Sequence, residues 1–177
     1  MDKKSFDPFE DRLSRDIRNN LSNALMVALT ELDLRPVREK AETYLSSNPE
    51  SIYRDYIKDR LARYDQALAK IKQDKINEPF FRALVLWDQE LFFEVHELLE
   101  TLWLSATGAE KEILQAMIRA AGMYIHLAHG NRQGAQKMAD KALKAFAKNR
   151  DKIPPFPGFN LLLAKLEELD PTPPRLS

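Results

Sequence analysis

The sequence contains no cysteine, which removes disulfides and thiolate metal sites at once. Glycine is scarce, five residues in 177, and too scattered to build the loop that cradles a phosphate. No run approaches the ~20 apolar residues that a membrane helix needs. The polar opening stretch MDKKSFDPFEDRLSRDIRNN has no apolar leader core. Net charge is absent too: 27 basic residues balance 27 acidic ones, so no global field steers the chain towards nucleic acid or a membrane. These absences point to a soluble protein of the cytoplasm, with the missing thiols fitting a reducing compartment.

What the chain has in quantity is Ala, Leu, Lys and Glu, the strong helix formers. Neither a strand pattern nor a repeat period interrupts the helical spacing, so the fold is expected to be all-α: a multi-helix bundle with a central buried helical hairpin. Residues 1–76 read as an N-terminal helical layer packing on the core. In it, Asp7-Pro8 is expected to start the first helix, Pro36 the second and Asn48-Pro49 the third. Residues 77–169 read as the core helical domain. Within it Asp88 can cap one helix, a long helix runs from about Glu110 to His129, and Gly130-Asn131 turns the chain into a last long helix from about Arg132 to Lys148. A proline-rich connector, IPPFPGF, leads to a short helix, and residues 170–177 form a tail.

The stretch FFEVHELLETLW, residues 92–103, places a histidine and a glutamate among apolar side chains. At about 100° per residue, Trp103 falls within roughly 20° of His96, Phe92 and Glu100 within roughly 40°, and Phe93 and Leu99 within roughly 60°. His96 and Glu100 then share an aromatic stripe, Glu97 lies at its boundary, and Glu94 and Thr101 point to water. A buried carboxylate needs partners. The next helix, apolar nearly all round, offers one polar strip: Gln115, Arg119, Gly122, His126 and His129. Gln115, Arg119 and His126 are therefore expected to face His96, Glu97 and Glu100 across the hairpin, with Arg119 paired to a carboxylate. Gly122, costly in mid-helix, suggests a close neighbour.

LFFEVHELLETLW followed by EILQAMIRAAGMYIHLAHGNRQGAQKMADKAL resembles the small helical family called domain of unknown function 309. The residues carrying the resemblance are His96, Glu97, Glu100, Trp103, Gln115, His126, Gly130, Asn131, Gly134 and Ala135. It spans roughly residues 80 to 148; Asp88 and Glu90 stand where the family often has Asn and Gly. The resemblance implies an all-α bundle with no established activity.

The polar constellation supports several chemistries. It can bind a small polar or anionic ligand, or serve only as a structural network between helices. A hydrolase-like site using His/Glu acid–base chemistry is the alternative, without a nucleophile, since Ser105 and Thr107 lie at a helix end. No metal is favoured, because Arg119 would repel one; were an ion held, His96, Glu97, Glu100 and His126 would be its ligands. No cofactor is called for. A protein-interaction helical module is a further reading, and a homo-oligomer is compatible with the sequence. Lys137, Lys141, Lys144 and Lys148 make a basic stripe that an acidic partner or RNA backbone could use, but no aromatics interleave for base stacking, so a solvated helix face is expected and nucleic acid is disfavoured as a partner. Membrane association is not expected.

Overall fold

The computed structural model of the protein describes residues 5–177; the first four residues of the polar opening stretch lie outside it. The expected all-α class holds. Eight α-helices and one short 3-10 turn make up the regular structure, with no strand among the described residues. The chain divides into two compact units, Met1–Asp74 and Lys75–Ser177.

The first unit contains α1 (Arg12–Glu31), α2 (Arg35–Leu45) and α3 (Ser51–Gln73). The apolar stripe of α1 buries Ile17, Leu21, Leu25, Ala28 and Leu29, and that of α3 buries Tyr53, Ile57, Tyr64, Leu68 and Ile71. Asp7 does not cap α1. Its carboxylate closes the preceding turn by accepting the Phe9 N–H at 2.8 Å. Asp11 caps instead, taking the Ser14 N–H at 2.8 Å and the Tyr53 hydroxyl at 3.0 Å. Asn48 likewise does not cap α3; it takes a left-handed turn conformation (φ 50°) ahead of a helix that starts at Ser51.

The second unit contains α4 (Pro79–Asp88), α5 (Phe92–Ser105), α6 (Gly108–Ala128), α7 (Arg132–Lys148) and α8 (Phe159–Glu168). Helix α6 is its centre, packed against α7 along one side and α5 along the other. Small residues explain how close α6 and α7 come: Ala116, Ala120 and Ala121 on the first and Ala135, Ala139 and Ala142 on the second are all fully buried. Fully burying a leucine such as Leu99 on α5 contributes roughly 1.5–3 kcal/mol relative to exposure.

Residues 170–177 fold back onto this unit. The Trp87 indole N–H donates to the Pro174 carbonyl at 3.0 Å, and the Leu176 side chain is fully buried. Asp88 does not cap α5, whose N-cap is Leu91 without a side-chain bond. Its carboxylate accepts the backbone N–H of Leu176 at 2.7 Å and both the N–H and the hydroxyl of Ser177 at 3.0 and 2.7 Å. Gly158 lets the segment pass: a Cβ there would stand 2.1 Å from the Arg175 carbonyl oxygen.

Candidate functional site

The residues expected to form one buried pocket occupy three places. The first is the exposed side of α5. His96 Nδ1 stands 3.2 Å from Glu97 Oε1 and 3.8 Å from Glu100 Oε2. The carboxylates can only accept, so Nδ1 carries the hydrogen and donates to Glu97. Three ligand atoms of His96, Glu97 and Glu100 lie within 4.8 Å of one another. They are not enclosed: the His96 side chain is 34% exposed, Glu97 30% and Glu100 49%.

Helix rotation accounts for the difference. The buried arc of α5 comprises Glu94, Val95, Leu98 and Leu99. Its centre lies roughly 130° round the helix from His96 at about 100° per residue. The aromatic stripe of Phe92, Phe93 and Trp103 is the half-buried rim of the helix and not its core face. Glu94, expected in water, is fully buried. Thr101 is exposed, as its position on the helix requires.

The second place is the turn between α6 and α7. The Asn131 side-chain oxygen accepts the Gly134 N–H at 2.8 Å, capping α7. That bond orients the amide, so its NH₂ group is the one facing His126 Nδ1 at 3.2 Å. His126 Nδ1 therefore accepts, and its hydrogen sits on Nε2. Gly134 leaves room for this pair; a Cβ there would stand 2.7 Å from both His126 Nδ1 and the Asn131 amide nitrogen, so those side chains would have to shift. Gly130, with φ 69°, makes the turn itself. His126 thus belongs to a helix cap and is not a partner of His96, nor part of the acidic cluster on α5.

The third place is a cleft of about 400 Å³ on the α6–α7 side. Gln115 and Arg119 line it, and among the described residues Arg119 makes no ion pair with Glu97 or Glu100. Trp103 from the end of α5, Lys111 and Glu112 from α6, and Lys141, Lys144, Ala145 and Lys148 from α7 complete the lining. Five cationic side chains face one carboxylate there. Lys148 Nζ bonds Glu112 Oε1 at 2.6 Å, and the Asn149 amide donates to Oε2 at 2.8 Å. These bonds, Lys148 first, hold the Glu112 carboxyl below the usual glutamate range. Lys111 Nζ lies 4.3 Å over the Trp103 ring. Among the described residues, Arg119, Lys141 and Lys144 have no carboxylate partner.

Sequence reasoning found Gln115, Arg119 and the lysine stripe separately but did not join them, and it missed Lys111 and Glu112. The signal was present in part: Lys111, Gln115 and Arg119 are spaced by four and share one helix face. No neighbouring backbone lies within 4 Å of a Cβ built at Gly122. Its nearest neighbours are Met138 Cγ and Sδ, at 3.7 Å from a Cβ built there.

Tyr124 adds a buried group outside these three places. Its ring stacks on Phe92 at 4.8 Å and meets Trp87 edge-on at 5.4 Å. Its hydroxyl is buried with no hydrogen-bond partner. Burial, and secondarily the charge of Asp170, pushes its ionisation well above the ordinary tyrosine range.

The fold and these clusters define a small all-α domain, built as a helical hairpin joined by a turn of glycine and asparagine and flanked by a cationic cleft. Residues 80–138 match the family described as Domain of unknown function (DUF309), which agrees with the resemblance read from the sequence. No curated protein and no solved structure matches the chain. No helix among the described residues is long and apolar enough to cross a membrane.

Proposed function

We propose that the protein binds a small anionic ligand in the cleft between α6 and α7, in the cytoplasm. The observation that carries this reading is the convergence of Lys111, Arg119, Lys141, Lys144 and Lys148 on one concavity with Glu112 as its only acidic lining residue. Lys148 is bonded to Glu112 and Lys111 lies over the Trp103 ring, so Arg119, Lys141 and Lys144 are the lining cations whose like charges disfavour one another until an anion enters. The cleft volume, about 400 Å³, is within the ~300–1,000 Å³ range of small-molecule sites.

Inorganic tripolyphosphate is a suitable first probe. It is expected to raise the melting temperature of the protein, with the shift shrinking as salt screens the lysines. Arg119→Ala and Lys144→Ala each reduce the shift, and the double variant abolishes it. If tripolyphosphate at millimolar concentration and low salt leaves the melting temperature unmoved, the reading is wrong.

A further inference from the structure

We infer that the ligand of the α6–α7 cleft is a phosphorylated small molecule carrying a planar aromatic group, of the nucleoside polyphosphate class. The inference rests on the anion-binding reading above and adds to it the other half of the ligand.

Volume sets the first constraint. The open cleft has a volume of about 400 Å³, more than a bare phosphate of five heavy atoms would fill. The cations are also spread along the cleft and do not gather at one point. Lys111 and Arg119 are eight residues apart on α6, and Lys141 and Lys148 seven apart on α7. At ~1.5 Å per residue each row is about 10–12 Å long, suited to a chain of phosphates.

Trp103 sets the second constraint. Its half-buried indole lines the cleft, and the Lys111 ammonium occupies its face at 4.3 Å. A cation on an aromatic face is a weak and displaceable partner at an exposed site. An incoming aromatic ring can take that face, and Lys111, freed from the indole, then swings to the phosphates. Both halves of such a ligand are met from one cleft.

A single-stranded nucleic acid offers the same two chemistries. It is disfavoured because successive bases need successive aromatic platforms, and Trp103 is the only aromatic residue lining the cleft.

The test compares ATP, tripolyphosphate and a short single-stranded oligonucleotide, all without magnesium, by calorimetry and tryptophan fluorescence. ATP is expected to bind at least tenfold more tightly than tripolyphosphate and to quench Trp103. Trp103→Leu should erase the tenfold advantage, read as the ratio of ATP to tripolyphosphate affinity within the same variant, while tripolyphosphate still binds, and Trp103→Phe should restore part of it. Binding of tripolyphosphate by the Leu variant also shows that it is folded. Equal affinity for ATP and tripolyphosphate in the wild type would overturn the aromatic inference and leave anion binding standing. Absence of binding by either would overturn both. Tighter binding of the oligonucleotide than of ATP would replace the small molecule with a nucleic acid.

Discussion

The side-chain amide of Asn131 bridges two helices: it accepts the Gly134 N–H at 2.8 Å and presents its NH₂ group to His126 Nδ1 at 3.2 Å. One residue thereby caps α7 and fixes the imidazole at the end of α6. The motif around it, Gly130, Asn131 and Gly134, is explained by this geometry without any ligand. Asn131→Ala is expected to lower stability by about 1 kcal/mol, the usual cost of losing an N-cap side chain. Denaturant unfolding measures it. An unchanged midpoint would show that the cap contributes nothing.

Two glycines on the same hairpin should respond oppositely to alanine. At Gly122 the new methyl meets Met138 at 3.7 Å, ordinary contact, and helix propensity then favours alanine by up to about 1 kcal/mol. At Gly134 the methyl would stand 2.7 Å from the His126 and Asn131 side chains, so the pair that forms the cap must shift, which is expected to weaken it. Thermal melts of Gly122→Ala and Gly134→Ala should move in opposite directions from wild type. Movement in the same direction would contradict the packing described.

Tyr124 predicts an alkaline effect. Its folded ionisation is raised by burial first and by Asp170 second. The neutral phenol is thus favoured by folding, and its contribution is fully present below the unfolded value of about 10 and lost as pH rises above it. Tyr124→Phe should keep neutral-pH stability or raise it by up to about 1 kcal/mol, since a buried hydroxyl without a partner is removed. It should also shift alkaline unfolding to higher pH. A large loss of stability at neutral pH would mean that the hydroxyl has a partner after all.

The segment 170–177 should behave as part of the core. Leu176→Ala is expected to cost about 2–5 kcal/mol, as for other fully buried leucines. Asp88→Ala removes the acceptor of the Leu176 and Ser177 N–H groups and should loosen the same segment. Both variants are expected to red-shift the emission of Trp87, whose indole donates to Pro174. Wild-type spectra in both would mean that the segment is dispensable.

Much of this was legible in the residues. The Gly130-Asn131 turn, the extent of α7 and the apolar character of α6 follow from local rules, because a cap, a left-handed glycine and a 3.6-residue period act within a few residues of themselves. Asp7, Asn48 and Asp88 show where such rules fail. Each is a good capping residue, but Asn48 falls in a left-handed turn ahead of its helix, and the carboxylates of Asp7 and Asp88 bind other donors near them. For Asp88 those donors are the N–H groups of Leu176 and Ser177, 88 and 89 residues away in sequence.

The rotation of α5 was the costlier misreading. Aromatic residues can mark either a core or a rim, and FFEVHELLETLW does not say which. The choice was made by Val95, Leu98 and Leu99, which turned inward with Glu94 and left His96 at the edge.

By itself, then, the sequence determined the helices and their hairpin turn, since periodicity and capping are written in neighbouring residues. Tertiary structure alone decided which charged rows meet. Arg119 stands with the lysines of α7, not the glutamates of α5, because a helix has one rotation and the packing of its apolar side chains sets it.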